Sequence, residues 1–84
     1  MTNEEFDILD ELYFVKGLDD LLFALQWDKE QVLSQLWNLI QKDWVKCFVD
    51  LTEIEKPSHE YFTKEISKMQ FVATKSGLLA HNRN

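Results

Sequence analysis

The chain predicts a mainly α domain with a small β part, an α+β fold in which three helices precede two strands. Three observations carry that expectation. Apolar residues recur at helical spacing in three segments of the first half, the first and third opened by capping residues. Two runs rich in β-branched and aromatic residues, Trp44–Asp50 and Met69–Thr74, follow in the second half. Finally, 84 residues that are 45% hydrophobic suit one small domain spanning 1–84 rather than two.

The first helix starts at a T-x-x-E capping box, Thr2 and Glu5, in which side chain and backbone satisfy each other's amides. Phe6, Ile8, Leu9, Leu12, Tyr13 and Val15 then cover roughly half of a helical wheel, so the helix is expected to pack on two sides. Gly17 is read as its left-handed stop. A short second helix follows over about 18–25. Asp19 and Asp20 sit in its first turn, where the helix dipole favours carboxylates, and Leu21, Leu22 and Leu25 form its apolar side. Gln26 and Trp27 make a tight turn. Asp28 caps the third helix, about 29–42, whose apolar arc is Val32, Leu33, Leu36, Leu39 and Ile40 with Trp37 at its edge. The strand Trp44–Asp50 comes next. About eighteen residues separate it from Met69–Thr74, long for a simple hairpin loop. Within them Ser58 caps an expected short helix at His59–Lys68, carrying Phe62, Ile66 and Met69 on one face. Thr74 caps a final turn.

Six Phe, three Trp and two Tyr argue against disorder. One cysteine, Cys47, excludes an internal disulfide and fits a reducing compartment. Its alternation with Val45 and Val49 reads as a small buried hydrophobe. The acidic, amphipathic start does not resemble a secretory leader, and no apolar run approaches the ~20 residues of a membrane span, so a cytoplasmic protein off the membrane is expected. The net charge of −6 is uneven: residues 1–20 hold seven of the fifteen acids and one of the nine bases. Cys47, His59 and His81 match no metal-ligand spacing. No nucleophile-and-base signature or phosphate-cradling glycine loop occurs. The expectation is a non-enzyme without a cofactor.

The order helix, helix–turn–helix, strand, connection, strand, short helix resembles a winged helix domain. Leu36, Leu39, Lys42, Asp43, Trp44 and Val45 are similar to the end of the helix-turn-helix in MarR/PadR-type transcription regulators. Phe71, Ala73, Thr74 and Gly77, in FVATKSGLL, are similar to the segment that closes the wing in those families. The resemblance covers about 4–80. It implies a three-helix core plus a two-stranded antiparallel hairpin over about 44–74, here with a helical insertion between the strands. It also implies a small DNA-binding transcriptional regulator. Gln26 and Asp43 stand where such families often have glycine, and the inter-strand connection is longer than a plain wing.

On that reading the polar face of the third helix, Gln31, Ser34, Gln35, Asn38 and Gln41, supplies base-facing candidates. Amides offer a donor and an acceptor side by side, which matches a base edge. Phosphate candidates are Lys29, Lys42, Lys46, Lys64, Lys68 and Lys75, a sparse set that implies modest, salt-sensitive affinity for double-stranded DNA. The competing expectation is a non-catalytic winged helix that binds a protein partner or a second copy of itself. Net charge, the acidic first helix and the aromatic content favour it, and the third helix lacks a basic cluster.

Overall fold

The computed structural model describes residues 1–83; Asn84, the last residue of the expected domain, lies outside them. Four of the helices begin where a side-chain oxygen meets a free backbone amide. The element α1 (Asn3–Glu11) has the full capping box, with Thr2 Oγ1 accepting from Glu5 N at 3.1 Å and Glu5 Oε1 accepting from Thr2 N at 2.9 Å. Asp28 Oδ1 accepts from Gln31 N at 2.8 Å to open α3 (Lys29–Gln41). Ser58 opens α4 (His59–Glu65), and Thr74 opens α5 (Lys75–Asn82). Between α1 and α3 lies α2 (Leu18–Leu25).

The strands are β1 (Lys16–Gly17), β2 (Val45–Val49), β3 (Thr52–Ile54) and β4 (Gln70–Ala73). They form one antiparallel sheet in the order β1-β4-β2-β3. The expected pair is present, with Val45 opposite Ala73 and Cys47 opposite Phe71. The expected two-stranded hairpin is nevertheless corrected to four strands. A two-residue turn at Asp50–Leu51 folds β3 back on β2, and β1 adds to β4 at the far edge. Gly17 is corrected too. Its φ is −86°, and it pairs in β1 and caps α2 instead of stopping α1 with a left-handed turn. The first helix ends at Glu11, so Tyr13 and Val15 leave its apolar arc and are exposed. The inserted helix holds its α form only to Glu65 and finishes as a 3-10 turn at Ile66–Lys68.

One core joins these elements. Ile8, Leu9 and Leu12 of α1 and its end meet Leu21 of α2, Val32, Leu36 and Leu39 of α3, and Val45, Cys47 and Phe71 of the sheet. Phe62, Ile66 and Met69 extend it into the insertion. No helix among the described residues is long and apolar enough to cross a membrane.

The corners are made without glycine. Gln26 (φ 59°) and Asp43 (φ 63°) take the left-handed conformation that follows a helix. At Asp43 two bonds seal the turn: Asp43 N donates to Ile40 O at 3.0 Å, and Trp44 N donates to Leu39 O at 2.9 Å. Gly77 is needed for a different reason. A Cβ there would lie 2.1 Å from the Trp44 carbonyl oxygen, so only glycine lets α5 sit on the corner between α3 and β2.

The β2–β3 turn has positive φ at both Asp50 (50°) and Leu51 (67°), the pairing that favours Asn-Gly or Asp-Gly. Leu51 is 90% exposed, so its side chain returns little for the strain. Leu51→Gly is expected to stabilise the domain by up to about 1 kcal/mol, read as a higher urea midpoint. Gly77→Ala is expected to lower the same midpoint, because backbone has to move to admit the methyl group.

Candidate functional site

The polar side of α3 carries the amide candidates and ends at Lys42, and its geometry turns on Glu5. In sequence Glu5 lies three, four and seven residues before Ile8, Leu9 and Leu12, on the buried stripe of α1, and it is only 2% exposed. Its Oε1 accepts from the Thr2 amide. Its Oε2 accepts from Asn38 Nδ2 at 2.8 Å and from the Lys42 ammonium. Burial by itself pushes the Glu5 carboxyl up. The Lys42 ammonium, the Thr2 amide and Asn38 together outweigh that effect and hold the group below its ordinary value. The network ties the first turn of α1 to the last turns of α3.

The base-facing candidates therefore do not form one exposed row. Asn38 directs its amide hydrogens into the α1–α3 seam. Gln31 and Gln35 lie two turns and one turn before it on the same side of α3 and are half-buried, and Gln35 Oε1 is buried with no hydrogen-bond partner among the described residues. Ser34 and Gln41 are the two that face solvent. They are flanked by exposed Glu30 and Asp43.

The lysines scatter. Lys42 serves Glu5 and also lies 4.8 Å from the Trp44 ring centroid. Lys46 sits on β2, 5.8 Å from the Phe48 ring. Lys68 is 3.9 Å from Glu65 in the insertion. Lys29, Lys64 and Lys75 are exposed at three separate places: the start of α3, the body of α4 and the start of α5. The structure brings Lys42 and Asn38 together, but around a carboxylate.

The other flank of α3 faces the insertion. Trp37 packs edge-on against His59 at 4.9 Å and tilted against Phe62 at 5.2 Å, so the insertion half-covers it as its position at the arc's edge suggests. Beside it an open groove of about 1190 Å³ runs between the C-terminal part of α3, β2, β3 and the segment entering α4. Trp37, Ile40, Ile54 and Pro57 give it apolar walls. Asp43, Glu53 and Glu55 outnumber Lys46 and Lys56 among its charges. Cys47 lies at its base, 1% exposed. Its thiol is pushed up first by burial and then by the nearby Glu53 carboxylate, the state of an inert packing residue.

A second polar cluster latches α5 to α1. The Tyr13 hydroxyl donates to Asn82 Oδ1 at 2.9 Å and lies 2.8 Å from His81 Nδ1. The buried His81 ring stacks on Phe6 at 4.2 Å. Among the described residues no group of three or more His, Cys, Asp or Glu side chains is arranged to hold a metal ion.

Sequence reasoning used Glu5 only as a capping partner and missed its second role. The signal was available, because a carboxylate on the apolar stripe of a helix needs a buried partner. It also passed over two aromatic rings. Phe14 is 79% exposed in the segment after α1, and Phe23 is 81% exposed on α2, off the Leu21–Leu25 side. No family model matches the chain, and no curated protein or solved structure matches it either.

The Glu5 network fixes the sign of a pH effect. A carboxyl held below its unfolded value stabilises the fold above that value and loses its contribution as pH falls through the folded value. Glu5→Gln is thus expected to cost about 1–3 kcal/mol at neutral pH. The gap from the parent protein should shrink as pH falls below the ordinary carboxyl value of 4.5. Urea unfolding of both proteins between neutral pH and acid measures it, and a gap that is constant with pH contradicts the assignment.

Proposed function

We propose that this chain is a winged helix domain that works by binding another protein and not by reading DNA. The topology supports the winged helix part. The pair α2 and α3 is joined by a tight left-handed turn, α3 runs straight into β2, and β2 pairs with β4 while the two-residue β1 closes the sheet edge. The helix-bearing connection between β3 and β4 is then an insertion in the wing.

The engagement of Asn38 and Lys42 by the buried Glu5 carries the rest. It removes from α3 the amide and the cation best suited to a base edge and a phosphate. What remains outward on α3 is Ser34 and Gln41 between the carboxylates of Glu30 and Asp43, with Glu53 and Glu55 along the neighbouring groove. Such a surface repels a polyanion, and counterion release cannot drive binding to it. The turn at the end of the β2–β3 hairpin, Asp50–Leu51, carries no cation either.

The DNA-regulator reading keeps one specific support. Lys29, Lys64 and Lys75 have no acidic partner among the described ion pairs, so they remain free to meet phosphates. They lie on three different helices, and none of them flanks Ser34 or Gln41 on the outward side of α3.

A salt titration against mixed genomic DNA fragments separates the two readings. No retention is expected at ~50 mM salt, where non-specific electrostatic affinity is greatest. Salt-dependent DNA binding that weakens in Ser34→Ala and Gln41→Ala overturns the protein-binding reading.

A further inference from the structure

The surface built by the segment after α1 and by α2 carries apolar anchors and unpaired negative charge together. Phe14 and Val15 are 79% and 53% exposed, and Phe23 is 81% exposed. On α2, Asp19 and Asp20 stand four and three residues before Phe23, so both carboxylates and the ring lie on one exposed flank. The two-residue β1 joins this flank directly to Phe14 and Val15, which precede Asp19 by five and four residues.

The charge of this surface is not neutralised from within. Lys16, the one cation among residues 1–20, is held by Glu11 at 2.6 Å. Asp19 and Asp20 form no ion pair among the described residues, and neither do Glu4 and Asp7 of the adjoining α1. Asp19 and Asp20 gain something from the start of α2, since carboxylates suit the positive end of a helix dipole. That accounts for their tolerance there and leaves both oxygens of each free for an incoming cation. The phenyl rings have no such account: an aromatic ring 79–81% in water contributes almost nothing to the core.

We infer that this face docks a basic amphipathic segment of another protein, with Phe14 and Phe23 as the apolar anchors and Asp19 and Asp20 meeting flanking lysines or arginines. This rests on the reading of the chain as a protein-binding module and adds the site and the chemistry of its partner. Aromatic anchors inside a charged rim are the usual anatomy of a small binding surface. A second copy of the chain is disfavoured as the occupant, because a two-fold contact buries the same acidic patch twice, with no cation of the patch left to meet it. The carboxylates likewise turn away nucleic acid and anionic lipid.

The test uses the full chain and a displayed library of random peptides, selected for binding at low salt. Peptides rich in lysine or arginine around one or two large apolar residues are expected. Their affinity should fall with salt and drop about tenfold or more in Phe23→Ala and in the double variant Asp19→Asn/Asp20→Asn. All these positions are exposed, so thermal midpoints should match the parent and exclude misfolding as the cause. Several outcomes overturn the inference: no selected peptide, an acidic or uncharged consensus, or binding unaffected by these changes. If selected peptides are lost instead in Ile54→Ala or Glu53→Gln, the partner sits in the groove beside α3; the site proposed here is then wrong while the protein-binding reading stands. A concentration-dependent dimer that is abolished by Phe14→Ala/Phe23→Ala assigns the face to a second copy and overturns the partner chemistry. Salt-sensitive DNA binding removes both.

Discussion

A carboxylate withdrawn from water has to be neutralised or met by donors, and in this fold that carboxylate belongs to Glu5. Three groups meet it: the Thr2 amide from its own helix start, and Asn38 and Lys42 from the end of α3. Because the donors come from α1 and from the end of α3, the bond set acts with the buried Val32, Leu36 and Leu39 to hold the rotation of α3 against α1. That rotation decides which residues of α3 face outward. Gln31, Gln35 and Asn38 fall on the seam side, Leu33, Trp37 and Ile40 fall toward the insertion, and Glu30, Ser34 and Gln41 stay exposed at the rim of the hollows beside it. The outward character of the helix follows from this buried charge together with the buried stripe of Val32, Leu36 and Leu39.

A second constraint holds the other end of α3. Its left-handed exit at Asp43 exposes carbonyl groups that need partners, and the start of α5 provides them. The Thr74 hydroxyl donates to Asp43 O at 2.6 Å and accepts from Gly77 N at 3.0 Å, and Thr74 N donates to Trp44 O at 2.9 Å. Gly77 completes the contact by lacking a side chain where the Trp44 carbonyl lies. The Thr74–Gly77 spacing in FVATKSG thus has a physical reading independent of any resemblance. It is a helix cap that doubles as a clamp on the corner between α3 and β2. Strands β2 and β4 are brought into register beside that corner, with Val45 opposite Ala73.

Local signals were the legible part of this sequence. Thr2, Asp28, Ser58 and Thr74 each cap the helix that the spacing of their neighbours predicts, because capping is decided within three residues. The pairing of β2 with β4 was legible from composition and order. What escaped was non-local or very short. Two residues at Lys16–Gly17 have no period to detect, and they become a strand only because β4 offers a free edge. The β3 return was hidden because its turn is Asp50–Leu51, with leucine in a position that ordinarily announces itself through glycine. The candidate site suffered more than the fold. An amide such as Asn38 looks the same in sequence whether it faces water or a buried carboxylate, and the deciding residue lies 33 positions away on α1.

These constraints tie function to fold. A three-helix core with a sheet is compatible with many uses. Here the Glu5 network turns Asn38 and Lys42 toward the α1–α3 seam, while α2 and the segment before it leave aromatic rings and carboxylates in water. The most direct measurement is the titration of the Glu5 side-chain carboxyl carbon by NMR, followed together with the Asn38 side-chain amide. One shared midpoint below the ordinary carboxyl value of 4.5 is expected. A Glu5 midpoint at or above that value, with Asn38 indifferent to it, would contradict the network and the orientation of α3 that rests on it.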